Sequence, residues 1–408
     1  MARTVCISGA GIAGPALAFW LRGLGLRPTV VEHAPRLRTG GWAVDVRGAA
    51  LTVAERMGLA EAFRAATDNL RGLDLVDARG RVRAAAGTEL TASSPDDLEI
   101  RRTLLSRIVF DAAQEGVEYV FGDSVTAADD DGERVRVSFA RSAPRDFDLL
   151  VAADGLHSNV RRLVFGPEER YLRFLKAHVS IFDLPNRFGL DHRAVLHSDP
   201  GRTVGLYAGD PDGPAQAFVA FRSRTEAASR LRDAASRRRY LRARLSGMGW
   251  KAPEILEALD ATDDLYFDSI AQVHAGSWSK GRTVLLGDAA HCPSPLSGQG
   301  SSLALVGAYV LAGELAAAGG DHHRAFPAYE EAMRGFVRRN QAIATNGMSF
   351  LVPRDRVQIL VRDAAVRAAP YVPALNRLSG GISKAANAIA LKDYPLSAAS
   401  AASAASGR

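Results

Sequence analysis

Three glycines set the first chemical expectation. Gly9, Gly11 and Gly14 stand in G-x-G-x-x-G spacing between an apolar run, Thr4 to Ser8, and a helical pattern from Ala16 to Leu24. Such glycines permit a tight turn, close backbone approach to a pyrophosphate, and close packing of helix on strand. The helix start then offers free N–H groups and a positive dipole end to phosphate oxygens. A second run, Arg27 to Val31, ends in Glu32, 23 positions after Gly9. A carboxylate at that distance meets ribose hydroxyls. By itself this stretch predicts an ADP-containing dinucleotide, with NAD and FAD equally good fits, held by Gly9, Gly11, Ala13, Gly14 and Glu32.

Two further motifs repeat the logic of an apolar strand followed by polar chemistry at its end. Leu149 to Ala152 leads into Asp154-Gly155 and a helix start. Ligands of open α/β sheets bind at such carboxyl ends. Thr283 to Leu286 leads into Gly287-Asp288, and then through Pro295 and Gly298-Gln299-Gly300 into a long helix. An acid directly after a strand-end glycine can reach a sugar or polyol hydroxyl. A second helix start at Gly298 to Gly300 suits negative charge developing on an isoalloxazine ring. His291 reads as a polar residue satisfying its own loop.

These residues need a parallel sheet to carry them. Strand-like runs at Thr4 to Ser8, Arg27 to Val31, Val117 to Phe121 and Leu149 to Ala152 supply one, and Val135 to Phe139 is a further strand. The Asp129 to Gly132 turn marks a hairpin between Val117 to Phe121 and Val135 to Phe139. Trp42 to Gly48 reads as a strand entering a helix, Leu73 to Val82 as a hairpin around Asp77 to Gly80, and Glu99 to Arg102 as the opening of a helix. From about Gly166 to Val273, short β runs separated by Pro, Gly and Asp turns predict a mainly antiparallel second domain. Its helices are expected at Glu226 to Leu245 and Pro253 to Leu259. Helical patterns fill Ser301 to Ala317, Ala325 to Thr345 and Asp355 to about Leu391. The Ser-Ala-Ala tail has nothing to bury and is expected to be disordered.

Composition excludes several classes. The chain has 408 residues, 47% of them hydrophobic and 24% charged, with a net charge of +6. The densest basic run, Arg237 to Arg239 with Arg230, Arg232, Arg242 and Arg244 nearby, reads as a solvated helix face and sits in no recognisable nucleic-acid-binding module, so no nucleic-acid partner is expected. Cys6 and Cys292 form neither a disulfide framework nor a metal spacing, which fits a reducing cytoplasm and no metal site. The apolar stretch Leu303 to Ala318 is too short and too polar for a membrane span.

The three motifs, in this order, resemble the class A flavoprotein monooxygenases, the para-hydroxybenzoate hydroxylase-like family. The likeness covers about residues 3 to 345, and its nearest-looking branch holds the tetracycline-modifying and aromatic polyketide hydroxylases. The resemblance implies a Rossmann-like (GR2-type) FAD-binding domain with an inserted, mainly antiparallel β-sheet substrate domain and a C-terminal helical region. The FAD-binding parts are expected at 1–72, 99–165 and 276–345. A small β insertion on the substrate side takes 73–98, the substrate domain 166–275, the helical region 346–394 and the disordered tail 395–408.

It also implies FAD with its ADP half on Gly9, Gly11 and Gly14, the ribose on Glu32, and the backbone of Val125 flanking the adenine. Asp288, beside Gly287, would hold the ribityl and pyrophosphate region. Asp154 and Gly155 would form a motif linked to both FAD and NAD(P)H. Arg102 would contact the cofactor, with Arg101 as its competitor, and Asp45 the flavin, with Arg47 nearby. Pro295, Gly298, Gln299 and Gly300 would face the ring and stabilise charge there. No second strand-associated G-x-G-x-x-G is present, as expected where NADPH or NADH binds transiently and leaves.

The implied reaction is hydroxylation of an aromatic or polyketide-type molecule by O2 through a C4a-hydroperoxyflavin, in a monomer or homodimer. Substrate would lie on the inner face of the second sheet, with His178, Phe182, Tyr207 and Phe218 as candidates. A flavin-dependent oxidase or dehydrogenase is the alternative, and a redox-silent binding protein a remote one. Flavin reduction and oxygen incorporation separate the three.

Overall fold

The computed structural model describes residues 4–37, 43–68, 70–87, 94, 96–227, 231, 233–262, 264–369, 371 and 377–396. The cofactor side is built on a six-stranded sheet. Its order is Ser279–Lys280, Thr283–Leu285, Leu149–Ala152, Thr4–Ser8, Arg27–Glu32 and Glu118–Phe121. All neighbours run parallel except the two-residue edge strand. The central strands are buried on both faces, which is why they read as unbroken apolar runs. Helix Ala13–Gly23 packs against Gly300–Ala317, and that helix against His322–Leu351. Gly300–Ala317 is the one described helix long and apolar enough to cross a membrane, yet 83% of it is buried in the fold. A helix enclosed on all sides by protein needs no polar face.

A three-stranded sheet, Val125–Asp130, Val135–Phe139 and Arg145–Phe147, leans on this layer. The Asp-rich turn therefore joins Val125–Asp130 to its partner, whereas Glu118–Phe121 goes to the parallel sheet. The Thr-Ala-Ala-Asp composition of Val125–Asp130 carries little β propensity, so its pairing is decided by neighbours. Residues Leu98–Arg101 likewise form a strand, paired with Ala43–Val46, and the helix opens only at Arg102. Trp42, expected to start the partner strand, lies outside the described residues.

The second sheet has seven strands, ordered Tyr266–Val273, Leu172–Leu184, Ala215–Arg222, Arg202–Ala208, Arg193–Asp199, Gly72–Val76 and Val82–Ala86. One pair, Arg193–Asp199 with Gly72–Val76, is parallel; the rest are antiparallel. Side chains alternate between faces along each strand. The outer face packs Phe182, Val204, Leu206, Val219 and Phe221 beneath helices Ala234–Leu245 and Ala252–Ala261. The inner face sets Val179, Ile181, Phe218, Tyr266 and Ile270 against Leu296, Met348 and Val352.

The expected helix from Glu226 begins only at Ala234, where the Asp233 carboxylate accepts from the Ser236 N–H at 2.8 Å. Arg230 and Arg232 lie outside the described residues, as does the tail at 397–408. Among the described residues, the C-terminal helical region holds the end of His322–Leu351 and the helices Arg356–Ala368 and Arg377–Ala386. Beyond them the chain straps back across Gly300–Ala317. Tyr394 fills the notch left by Gly313, where a Cβ would come within 2.1 Å of its ring, and donates to Glu314 at 2.6 Å.

Candidate functional site

The three motif turns sit side by side at the carboxyl edges of adjacent strands. The ladder runs on past the strand ends, with Gly9 N–H donating to Val31 O, Ala153 N–H to Ser8 O and Leu286 N–H to Ala152 O, at 2.7–2.8 Å. Each glycine of the first turn has a distinct reason to be glycine. Gly9 has φ +109°, and a Cβ there would lie 2.4 Å from Ala153 O. A Cβ on Gly14 would lie 2.0 Å from Gly9 O. A Cβ on Gly11 would meet nothing within 4 Å. Two glycines thus serve the protein, and the third leaves an open cradle at a helix N-terminus, the fit required of a pyrophosphate. Glu32 closes the cradle: its carboxylate accepts from Ala10 N–H at 2.8 Å and Ala34 N–H at 2.9 Å. Each oxygen keeps acceptor capacity for a ribose hydroxyl. Ala13 packs on the neighbouring turn, its Cβ being 3.0 Å from where one would stand on Gly287.

At the second turn the carboxylate faces the other way. Asp154 accepts from the Ser158 hydroxyl and from Val160 N–H at 3.0 Å, capping helix Asn159–Val164. Burial pushes its carboxyl above the usual range. Gly155, at φ +88°, makes the turn and has open space beside it. Asn159 donates to the carbonyl of buried Val125 at 2.5 Å. Arg161, which sequence reading missed, is fully buried beneath two turns. It donates to Ala289 O at 2.9 Å and Leu156 O at 2.7 Å, with Glu168 3.3 Å away. An arginine in a helix carries no sequence signal of such burial.

The third turn gathers the charged groups. Burial raises the Asp288 carboxyl, and the charge of Arg102 works against that rise. Asp288 Oδ1 stands 3.8 Å from where a Cβ on Gly300 would be. Arg101 turns elsewhere, to Asp68 at 3.2 Å, so of the two arginines it is Arg102 whose charge acts on Asp288. Pro295–Ser297 forms a short 3-10 turn, Gly298 follows in the left-handed region at φ +64°, and helix Gly300–Ala317 begins after Gln299. Asp45 lies against this loop: its Oδ2 would be 2.5 Å from a Cβ on Gly298. Arg47 holds Asp45 at 2.7 Å, and Ser302 stitches both to the helix, accepting from Arg47 N–H and donating to Asp45 O. Gln299 is fully buried, and neither end of its amide has a hydrogen-bond partner among the described residues. His291 is buried against Trp278 and held neutral, its pKa driven down to about 3 by burial. It closes the short helix Asp288–His291, and its ring meets the Tyr329 hydroxyl at 3.4 Å through Nε2, so its polar side-chain contact is with the distant helix His322–Leu351 and not with its own loop as expected. The described residues include no cluster of His, Cys, Asp and Glu able to hold a metal.

Comparison with known proteins identifies the family. Residues 2–340 match the family model described as FAD binding domain. A flavin-dependent monooxygenase from an unknown prokaryotic organism is 36% identical over 96% of this chain and 98% of its own. An uncharacterised protein of Mycobacterium tuberculosis is 42% identical over 90% of this chain and 99% of its own. The crystal structure of tetracycline destructase Tet(51) superposes with a TM-score of 0.85 at 36% identity, covering 97% of this chain and all of that one. The chain belongs to the class A flavoprotein monooxygenases. It is an FAD-dependent enzyme, and the open cradle at Gly11 fits the pyrophosphate of that cofactor.

In the second sheet, the strand faces correct two expectations. His178 and Phe182 point to the outer face. His178 stacks between Phe221 and Phe267, both at 5.5 Å, and accepts from Ala227 N–H at 3.0 Å. Phe182 packs into the outer core. Tyr207 and Phe218 alternate with outer-face residues and face inward; Tyr207 donates to Asp68 at 2.7 Å. Tyr266, Leu296 and Met348 line the inner space as well, and sequence reading missed them.

Burial lowers the His178 pKa to about 4, from an ordinary 6.5. The unfolded chain therefore binds a proton that the folded chain refuses between those values. Stability present above pH 6.5 is lost as pH falls toward 4. His178→Phe should flatten this acid limb in urea unfolding at pH 5 against pH 7. An unchanged difference between the two pH values would remove His178 from the account.

Proposed function

We propose that this monooxygenase uses NADPH or NADH to reduce bound FAD and inserts one oxygen atom of O2 into an electron-rich aromatic or polyketide-type molecule. The observation that carries the reading is the double membership of Leu296. It belongs to the Pro295–Gly300 loop and also packs with Val179, Ile181, Phe218 and Tyr266 on the inner face of the second sheet. A ring held at that loop and a substrate held on that face then share one space.

The bound flavin supplies hydride acceptance and oxygen activation. The protein supplies placement and electrostatics. Gly9, Gly11, Gly14 and Glu32 anchor the ADP end, Asp288 and Arg102 hold the middle, and the N–H groups opening helix Gly300–Ala317 stabilise negative charge at the ring. Asp154 acts by building its turn, and Val125 by fixing Asn159. The apolar wall of Val179, Ile181, Phe218 and Met348 excludes water from the reacting space. Cys6 and Cys292, both free and buried, fit work in a reducing cytoplasm.

Likeness to the tetracycline destructases makes a tetracycline the first compound to try, followed by simple phenols. Anaerobic mixing with NADPH or NADH should bleach the oxidised flavin, and oxygen-18 gas should leave one labelled atom in the product. Bleaching with an unlabelled product would support an oxidase or dehydrogenase. No bleaching with either nucleotide would support a binding protein.

A further inference from the structure

Glu99 is a half-buried carboxyl for which the reaction above has no use. Pairing of Ala43–Val46 with Leu98–Arg101 sets Asp45 directly opposite it. Side chains of such a pair lie on one side of the ribbon, with Cβ atoms about 4.5–5.5 Å apart. Val46 and Ile100, on the other side, are core. On the polar side, the neighbouring charges are matched: Arg47 lies on Asp45 at 2.7 Å and 3.5 Å from Asp97, and Arg101 lies on Asp68, which also accepts from Tyr207. The Glu99 carboxyl makes no hydrogen bond or ion pair among the described residues. Burial, then the charge of Asp45, pushes Glu99 up to about 8. Burial pushes Asp45 to about 6 against the pull of Arg47.

Two carboxyls facing each other with one unmatched charge have a simple resolution: they keep a proton between them. The pair lies beside the loop read above as facing the flavin, because Asp45 Oδ2 fills the space next to Gly298. We propose that Asp45 and Glu99 hold one proton jointly beside that loop, and that reduction of the flavin draws a proton onto this pair, so that the pair makes the cofactor's reduction potential depend on pH. The inference rests on the placement of the ring at Pro295–Gly300. Electrons arrive on the flavin from the reductant, the proton comes from solvent, and an O–H bond on the pair is the only bond formed there. The groups facing Glu99 are Asp45 and Arg47 on the partner strand, Asp97 and Arg101 on its own, Asp68 from the segment bridged at Thr67 to Ile100, and Tyr207 from the second sheet. Residues Pro295 to Gly300 bring no titratable side chain.

The sign follows from charge. Above the upper step, near pH 8, the oxidised holoenzyme carries both carboxylates ionised. Added negative charge on the flavin then favours rebinding of the proton. The midpoint potential should fall more steeply with pH there, by one extra proton per two electrons, or about 30 mV per pH unit, a tenfold change in equilibrium constant. Potentiometry of the holoenzyme from pH 6 to 10, without nucleotide, oxygen or substrate, should show that extra slope in the wild type and not in Glu99→Gln.

Infrared difference spectra between the wild-type apoprotein and Glu99→Gln should show a protonated-carboxyl stretch at neutral pH that titrates away near pH 8. This readout needs no flavin. Absence of the band overturns the proposal outright. A titrating band with superimposable potential curves overturns the coupling and argues against the ring's placement. Failure of oxygen transfer alone touches only the proposed reaction.

Discussion

Gly11→Ala should leave the apoprotein as stable as the wild type while weakening FAD binding on the order of 100-fold, equivalent to about 2.7 kcal/mol. The new methyl meets no protein atom within 4 Å, and Gly11 does not occupy the left-handed region, so the fold has nothing to pay. It projects into the open side of the cradle, where a pyrophosphate must approach the backbone closely. Gly14→Ala is the opposite case. Its methyl would lie 2.0 Å from Gly9 O, and no flexible side chain is there to yield. The strand, turn and helix must separate, so loss of FAD should come with a large fall in the urea midpoint. Fluorescence titration of FAD into each apoprotein, beside urea unfolding, measures both quantities. An affinity for Gly11→Ala within threefold of the wild type would move the pyrophosphate away from this turn.

Arg161→Met should cost about 3–5 kcal/mol of stability, as expected when one partner of a buried charged network is removed. The guanidinium is fully buried and joins the Asp154-Gly155 turn, through Leu156 O, to the Gly287-Asp288 turn, through Ala289 O. Methionine restores much of the volume and none of the donors. Two buried carbonyls are left without partners, each costing about 1–3 kcal/mol. Arg161→Lys should recover only part of the loss, since an ammonium lacks the planar fork that reaches both turns. Because the two turns are those proposed above to flank the cofactor, FAD affinity should fall with stability. A urea-derived loss below about 1 kcal/mol would show that the guanidinium is not what ties them.

Both expectations depend on features of different visibility. The glycines, Glu32, Asp154-Gly155 and Gly287-Asp288 could be read from local spacing, because a positive φ, a tight turn or a strand end leaves its mark within a few residues. Arg161 left none. Its burial depends on carbonyls at positions 156 and 289, and on Glu168 beside them. The Asp154 motif was visible, but the direction of its carboxylate was not, since Ser158 and Val160 claim it only once the helix has formed.

The second sheet shows the same division more sharply. Its β character was plain from alternating runs and turn residues, but the assignment of faces was not. The long strand Leu172–Leu184 breaks register with its Tyr266–Val273 partner between Phe174 and His178. The offset there is two residues, so alternation survives it: Leu175, Ala177, Val179 and Ile181 all pack on the inner face. His178 and Phe182, at the alternate positions, go outward to the helices, while Tyr207 and Phe218 lie on the inner face. The Asp45–Glu99 pair likewise exists only through pairing of strands more than fifty positions apart.

Local spacing thus specified the parallel sheet and the dinucleotide end of the site, because backbone turns are governed by their own few residues. Long-range strand register, packing and burial settled the two faces of the second sheet, the buried arginine and the carboxyl pair, because each is a property of residues brought together from distant parts of the chain.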